Sequence, residues 1–330
     1  MQLLPKPLCV SSSQILTSLR IFSVRAVCLF ALAQPFHTSA AMGLQLEQSV
    51  SECGMVKSLQ ASPPLAAHQR IAGSTAVQGK QDIAWTWLGS PTVRYPHTAL
   101  GSITHAGSLH VLLASGGAQL SLTLPLHRVF EDLSVRLIDL DKDGRDEVVV
   151  VESDALRGAA LVVFGVHTGR LVELARSPFA GSTFRWLNPV GAADFDGDGR
   201  TDLAAVVTPH IGGRLTFYHY QPPRLTPYAS ASDVSNHRMG SPEQQLAVVL
   251  PQSQTGQRPA VIVPDMNLKA LYVLRWAGSG ERGSWQEIET PLPLPARAER
   301  LLPLIDAKND VVGACALLAD RTWWRVVFMH

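Results

Sequence analysis

Two short acidic segments share one design and one position relative to the strand that follows. Segments 139–147 (DLDKDGRDE) and 194–202 (DFDGDGRTD) carry Asp at positions 1, 3 and 5, Gly at position 6, Arg at position 7 and an acid at position 9. Each is followed at once by a strand-forming run, VVVV at 148–151 and LAAVV at 203–207. Negative charges crowded next to a buried apolar strand must be neutralised by a partner. Two copies with the same spacing indicate a common cause.

The spacing of these acids is that of a cation-binding loop. Alternate carboxylates on a tight loop converge, Gly at position 6 permits the turn, and position 7 offers a backbone carbonyl. Two unit charges about 5 Å apart repel by roughly 3 kcal/mol at an effective dielectric near 20, and a divalent ion turns that repulsion into attraction. An oxygen-only ligand set suits Ca²⁺, whereas Mg²⁺ prefers a strict octahedron and keeps its waters.

The sequence therefore predicts two Ca²⁺ sites, with a solvated acidic turn that holds no ion as the alternative. The predicted ligands are Asp139, Asp141, Asp143, the Arg145 carbonyl and Glu147 in the first loop, and Asp194, Asp196, Asp198, the Arg200 carbonyl and Asp202 in the second.

These segments are not EF-hand loops, because position 12 is Val150 or Ala205 and a strand follows instead of a helix. They resemble the FG-GAP or VCBS repeats of integrin-α-like β-propellers, whose signature is D-x-D-x-D-G-x-x-D before a strand. The resemblance implies a propeller with one Ca²⁺ in each intact loop, held by the residues named above. Glu147 stands where Asp is usual, and Asp146 is expected to point to solvent.

Short apolar runs rich in Val, Leu and Ile recur along the chain and predict an all-β fold. Weak repeats start near 101, 139, 194, 251 and 306, a period that fits four-stranded propeller blades. We expect about five blades over 81–330, with six blades or two packed β-sandwich domains as alternatives. The segment DIAWTWLGS (82–90) is expected to close the ring by joining the last blade, and 42–80 is expected to be a flexible arm.

The N-terminal region lacks acidic residues through position 46 and contains the short apolar run AVCLFALA (26–33). It predicts a signal peptide over 1–41 and a secreted or periplasmic protein, with a mitochondrial transit peptide or an uncleaved arm as alternatives. The run is too short to span a bilayer. After cleavage two cysteines remain, Cys53 and Cys315. They either pair in an oxidising compartment or stay as two thiols.

The formal net charge of +1 gives no indication of a nucleic-acid partner. We find no G-x-S-x-G, H-E-x-x-H or P-loop motif, and the scattered histidines, His210 and His219 among them, are expected to be surface or satisfied core residues. The first functional hypothesis is an exported, non-enzymatic module that binds a protein or a glycan, with Ca²⁺ mainly structural. The alternative is an exported hydrolase or lyase acting on a polysaccharide. A third, weaker hypothesis is an ion that bridges to a partner.

Overall fold

The computed structural model describes residues 44–49, 53, 62–252, 256–279, 282–287 and 291–328. All of them belong to one compact unit, Ala41–His330. The signal peptide predicted over 1–41 lies outside the described residues and stays a prediction. In the part of the chain that is described, no helix is long and apolar enough to cross a membrane.

The described chain is built from β-strands and a short 3₁₀ helix, Leu65–Gln69, which confirms the prediction of an all-β fold. Val, Ile, Leu and aromatic residues dominate the buried strands, as expected of side chains that pack on both faces of a sheet. The strands are β1 Leu44–Ser49, β2 Val77–Gln78, β3 Ile83–Thr92, β4 His105–Leu113, β5 Gln119–Thr123, β6 Arg128–Phe130, β7 Arg136–Ile138, β8 Glu147–Asp154, β9 Gly158–His167, β10 Arg170–Arg176, β11 Leu187–Ala193, β12 Asp202–Val207, β13 Arg214–Gln221, β14 Arg224–Ser232, β15 Val248–Leu250, β16 Ala260–Pro264, β17 Ala270–Ser279, β18 Arg282–Glu287, β19 Leu292–Pro293, β20 Ala298–Ile305, β21 Val311–Leu318 and β22 Trp323–Phe328.

Antiparallel pairing divides most of these strands into groups of four. The groups are β2–β5, β7–β10, β11–β14, β15–β18, and β20–β22 with β1. Short bridges join the first three groups into a 13-stranded sheet, while the fourth and fifth groups form separate sheets. This arrangement fits a β-propeller, although the hydrogen-bonded pairing does not run continuously around the molecule.

Neighbouring groups pack face to face through successive apolar cores. One core joins the first and second groups, the next joins the second and third, and the following two join the third to the fourth and the fourth to the fifth. Each group therefore buries its faces against its neighbours in sequence, as propeller blades do. None of the clusters formed by the described residues spans the fifth and the first group.

The N-terminal region differs from its prediction. Segment 82–90, expected to join the last blade, lies in β3 and pairs with β4 inside the first group. The strand added to the last sheet is β1, which pairs with β22 from Leu44↔Phe328 to Ser49↔Trp323. Part of the expected flexible arm is therefore ordered, because Leu44 and Leu46 pack against the core of the fifth group and the strand covers an edge of β22 that would otherwise be unpaired.

Four of the five expected repeat starts fall on the loop between the first and second strand of a group, the exception being the start near 101. That position lies between β3 and β4, the second and third strands of the first group. The equivalent loop of the first group is 79–82, which holds only four residues and lacks the D-x-D-x-D pattern. The shortened loop is why the repeat was assigned in the wrong phase there.

The two cysteines form a disulfide, so the paired alternative is correct. Their Cα atoms are 5.9 Å apart, within the range that a disulfide needs. Cys315 lies in β21 and is fully buried with Leu304, while Cys53 follows β1 along the chain. The bond therefore attaches the N-terminal segment covalently to the last group.

Candidate metal centres

Both acidic loops connect the first strand of a group to the second, β7 to β8 and β11 to β12. Positions 4 and 6 have left-handed backbone in each: Lys142 (φ 62°) and Gly144 (φ 85°) in the first loop, Gly197 (φ 77°) and Gly199 (φ 90°) in the second. The same turn is thus formed twice, and glycine occupies three of the four positions where a side chain would cost strain.

In the first loop the carboxylates hold the turn through backbone N–H groups. Asp139 accepts hydrogen bonds from the N–H of Asp143 and of Gly144, both at 3.0 Å. Asp143 in turn accepts the N–H of Arg145 at 2.9 Å. These bonds aim the acidic side chains toward the inside of the loop.

Three acids of the first loop converge. One carboxylate oxygen from each of Asp139, Asp141 and Glu147 lies within 4.8 Å of the other two. Glu147 is buried, and its Oε2 accepts the N–H of Leu140 at 2.7 Å. Burial raises the pKa of Glu147 to about 7, the Leu140 bond opposes the shift, and the charges of neighbouring acids add to it. A cation at this point would offset the mutual repulsion of these carboxylates.

The second loop brings its acids together in a drier setting. Oxygens of Asp194, Asp196 and Asp202 lie within 4.8 Å of one another, and both Asp196 and Asp202 are fully buried. Asp202 Oδ2 accepts the Phe195 N–H at 3.2 Å and the Tyr228 hydroxyl at 2.9 Å. Burial raises the pKa of Asp202 to about 7, the Tyr228 bond lowers it and the charge of Asp196 raises it further. Burial also raises the pKa of Asp196.

Two oxygens of the second loop are buried without a hydrogen-bond partner among the described residues, Oδ1 of Asp194 and Oδ2 of Asp196. A buried carboxylate oxygen without a partner costs free energy unless an ion or water satisfies it. The donor set of hard oxygens, together with these unpartnered atoms, fits a divalent cation. A family model described as an FG-GAP-like repeat matches residues 139–205.

Residues 139–205 form an FG-GAP-like repeat. The matched stretch includes both acidic loops and the four strands between them, β8 to β11. No curated protein matched the chain. The resemblance seen in the sequence is thereby confirmed for the region where the D-x-D-x-D-G pattern is intact.

In both FG-GAP loops an arginine side chain lies beside a predicted aspartate ligand. The Arg145 side chain lies 3.4 Å from Asp143, and that of Arg200 lies 3.0 Å from Asp198. Asp143 belongs to none of the converging sets found among the described residues. Its role as a ligand, and the carbonyl roles of Arg145 and Arg200, stay predictions.

A histidine that was expected to be a surface or satisfied core residue lies at the second FG-GAP loop. His219 Nε2 is 3.5 Å from Asp196 Oδ2, and atoms of Asp196, Asp198 and His219 lie within 4.8 Å of one another. His219 is directly opposite Asp202 in the β12–β13 ladder. The sequence carries no local signal for this position, because the register between β12 and β13 brings the histidine to Asp202.

Asp146 does not point to solvent as expected. It is buried, and its Oδ2 accepts the N–H groups of Lys80 at 3.2 Å and Gln81 at 3.0 Å. Its own N–H donates to Asp82 at 2.9 Å. Because the loop at 79–82 is short, Asp146 of the neighbouring group caps its backbone.

The two FG-GAP loops also touch. Lys142 of the first loop donates from Nζ to the Gly199 carbonyl of the second at 2.8 Å. On the other side, the Arg258 guanidinium lies so close to Gly197 that an added Cβ would come within 2.7 Å of its Nε. The second loop therefore lies between cationic side chains from the groups before and after it.

A second polar cluster is built from the opposite ends of the strands. His97 Nδ1 lies 2.6 Å from Glu131 Oε1, and the Ser153 hydroxyl donates to Glu131 Oε2 at 2.5 Å. His210 Nε2 and His237 Nδ1 lie 2.8 Å apart. Both carboxylate oxygens of the buried Glu131 thus have hydrogen-bond partners inside the protein.

The loops near that cluster expose large apolar side chains. Phe184, which stacks on His97 with ring centroids 5.1 Å apart, is 44% exposed, and Ile211, next to His210, is 61% exposed. Met239 is 48% exposed. The strand ends opposite the acidic loops therefore present apolar and aromatic surface to solvent.

Proposed function

We propose that this protein is a calcium-stabilised FG-GAP β-propeller of five four-stranded blades that binds a protein or a glycan. The carrying observation is the convergence of three acids at each of the two loops of an FG-GAP-like repeat. The five groups of strands and their successive cores support the blade count, and the β1–β22 pairing supports closure by an N-terminal strand.

The role of calcium in this proposal is structural. Asp139, Asp141 and Glu147 would hold one ion and Asp194, Asp196 and Asp202 the other, and each bound ion supplies positive charge to carboxylates that otherwise repel. Glu147 and Asp202 begin the second strand of their groups, so fixing them fixes where that strand starts. Each ion would thereby connect two strands of one blade.

The proposed binding face is formed by the loops that carry Phe184, Ile211 and Met239. Exposed aromatic and apolar side chains beside polar groups suit recognition of a protein or a glycan. The alternative, a hydrolase or lyase acting on a polysaccharide, would need acidic groups free to act on substrate. Glu131 has both carboxylate oxygens engaged, which favours a binding role.

Export to a secreted or periplasmic location is part of the proposal. The leader-like composition of residues 1–41 supports it. The Cys53–Cys315 disulfide supports it independently, because disulfides persist in oxidising compartments and are rare in reducing ones.

The proposal is tested by thermal unfolding of metal-stripped protein with Ca²⁺, with Mg²⁺ and with a chelator. Ligands that bind only the native state stabilise it by about 2.7 kcal/mol per site at a hundredfold excess over Kd, so we expect a Ca²⁺-specific rise in Tm. The Asp141→Ala, Asp196→Ala double variant should lose this response.

Asp320→Ala provides the matched control, because Asp320 is a carboxylate on the exposed turn between β21 and β22 that accepts the Thr322 N–H at 3.0 Å. It should keep the full Ca²⁺ response. An unchanged Tm in protein verified to be free of metal would contradict the proposal, as would an equal loss of response in the control.

A further inference from the structure

His219 enters the second acidic loop from the neighbouring strand. It lies opposite Asp202 in the antiparallel ladder, so the two side chains share one face of the sheet. The residue is only 6% exposed. Its ring meets that of Tyr228 edge to face, with centroids 4.0 Å apart, and the Tyr228 hydroxyl is bound to Asp202. The imidazole is therefore held in one orientation.

The nitrogen that faces the loop lacks a hydrogen bond. His219 Nε2, Asp194 Oδ1 and Asp196 Oδ2 are all buried atoms without a hydrogen-bond partner among the described residues. His219 Nε2 lies 3.5 Å from Asp196 Oδ2. Asp196 belongs both to the set with Asp194 and Asp202 and to the set with Asp198 and His219. Asp196 thus joins two overlapping sets, and the unpartnered atoms along them comprise one nitrogen and two oxygens.

We propose that the second acidic loop binds a divalent transition ion with His219 as a ligand, whereas the first loop is an all-oxygen calcium site. This inference rests on the proposed metal-binding function of the loops, and it replaces Ca²⁺ by a transition ion at the second of them. A neutral imidazole nitrogen suits Zn²⁺, Co²⁺ and similar ions, while Ca²⁺ takes oxygen ligands. Carboxylates together with one imidazole form a mixed set that favours the transition ions.

The first loop has no counterpart of His219. The β8–β9 ladder pairs Val148 with Phe164, so one step further along the same register Glu147 faces Gly165. Glycine brings no side chain, and the Leu174 side chain fills the space where a Cβ at Gly165 would lie. The first set therefore contains only the oxygens of its acids, and the two loops differ in donor chemistry although their turns are alike.

The test uses the full-length, metal-stripped protein, titrated calorimetrically with Zn²⁺, Co²⁺ and Ca²⁺. Asp141→Ala removes an acid of the first loop and isolates the second. In that background we expect one equivalent of Zn²⁺ to bind more tightly than Ca²⁺. Adding His219→Gln should weaken Zn²⁺ by at least about tenfold, because even outer-shell changes at metal sites typically cost about 10–100-fold.

His110→Gln is the matched control, since His110 is another β-strand histidine with a ring nitrogen, Nδ1, that is buried and unpartnered. No metal cluster of the described residues includes it, so its Zn²⁺ affinity should equal that of the parent. A second readout needs no variant: the ¹⁵N resonance of His219 Nε2 should shift on Zn²⁺ addition to the parent and stay unchanged on Ca²⁺ addition.

Equal Zn²⁺ affinity with and without His219, or a His219 resonance that is unchanged by Zn²⁺, would overturn the inference. Either result would identify the histidine as an ion-pair partner of Asp196. If Ca²⁺ still stabilises the protein in that case, the proposed function stands and only this inference fails. If neither loop binds any of the three ions, both fail together.

Discussion

The disulfide between Cys53 and Cys315 should contribute a large part of the stability. The bond closes a loop with a sequence separation of 262, for which the chain-entropy relation gives about 5.5 kcal/mol at 25 °C. Measured contributions typically fall short of that relation, at about 2–4 kcal/mol. We therefore expect Cys53→Ala and Cys315→Ala each to lower the free energy of unfolding by about 2–5 kcal/mol.

The decisive comparison is a double-mutant cycle measured by equilibrium urea unfolding, with and without reductant. Either single substitution removes the whole bond, so the double variant should cost about as much as each single one. Cys315 is the more deeply buried partner, and the small void left by its substitution should make that variant slightly less stable than Cys53→Ala. Reductant should destabilise the parent and leave the three variants unchanged.

Additive costs in the cycle, together with a parent that is insensitive to reductant, would refute the reasoning. They would show that the two thiols are separate in solution and that loop closure contributes nothing. Peptide mapping without reduction supplies an independent check, because a peptide containing Cys53 should appear linked to one containing Cys315.

Three further outcomes follow from the structure. Asp146→Ala should destabilise the protein by about 1–3 kcal/mol in urea unfolding, because two backbone N–H groups lose their acceptor. Asp146→Asn keeps an oxygen and should cost less, and equal costs for the two variants would contradict this account. Burial lowers the pKa of His210 to about 4 and that of His237 to about 3. Both histidines are neutral in the folded protein and titrate near pH 6.5 when unfolded, so stability that is present above about pH 6.5 should be lost as pH falls toward 4. A His210→Gln, His237→Gln variant should show a smaller change in unfolding free energy over that pH range. An unchanged pH dependence would argue against neutral histidines. Trp186→Phe removes the hydrogen bond from Nε1 to the Glu131 carbonyl and should cost about 1–3 kcal/mol, which urea unfolding would detect; a cost near zero would mean that water replaces the indole.

The sequence predicted those features that depend on local pattern. The acidic spacing located both loops, and the apolar runs located the central strands on which most of the core is built. β1 was missed because LQLEQS is a short, weak alternation whose burial comes entirely from a partner strand near the other end of the chain. Segment 82–90 was correctly expected to be strand but assigned to the wrong sheet, since strand propensity does not specify the partner.

In the candidate site, too, the features set by local pattern were predictable and those set by strand pairing were not. The carboxylates at positions 1, 3 and 9 of each loop come together as their spacing suggests, because the turn alone determines where they point. His219 could not be found in this way, since only the register of β12 against β13 brings it to Asp202. Asp146 was expected to be exposed because the loop pattern assigns it no role, and the neighbouring 79–82 loop that buries it is visible only in three dimensions.

The pairing of β1 with β22 has a consequence for the order of events during synthesis. Ribosomes make β1 early and its partner late, so Leu44–Ser49 emerges long before Trp323–Phe328 exists. Until then the early strand has no partner strand, and its backbone N–H and C=O groups can bond only to water. Contacts between such distant segments form slowly, and an unpaired strand edge invites association with other chains. The last sheet can therefore be completed only after translation has nearly finished, and until then the nascent chain lacks the strand pairing that joins its two ends.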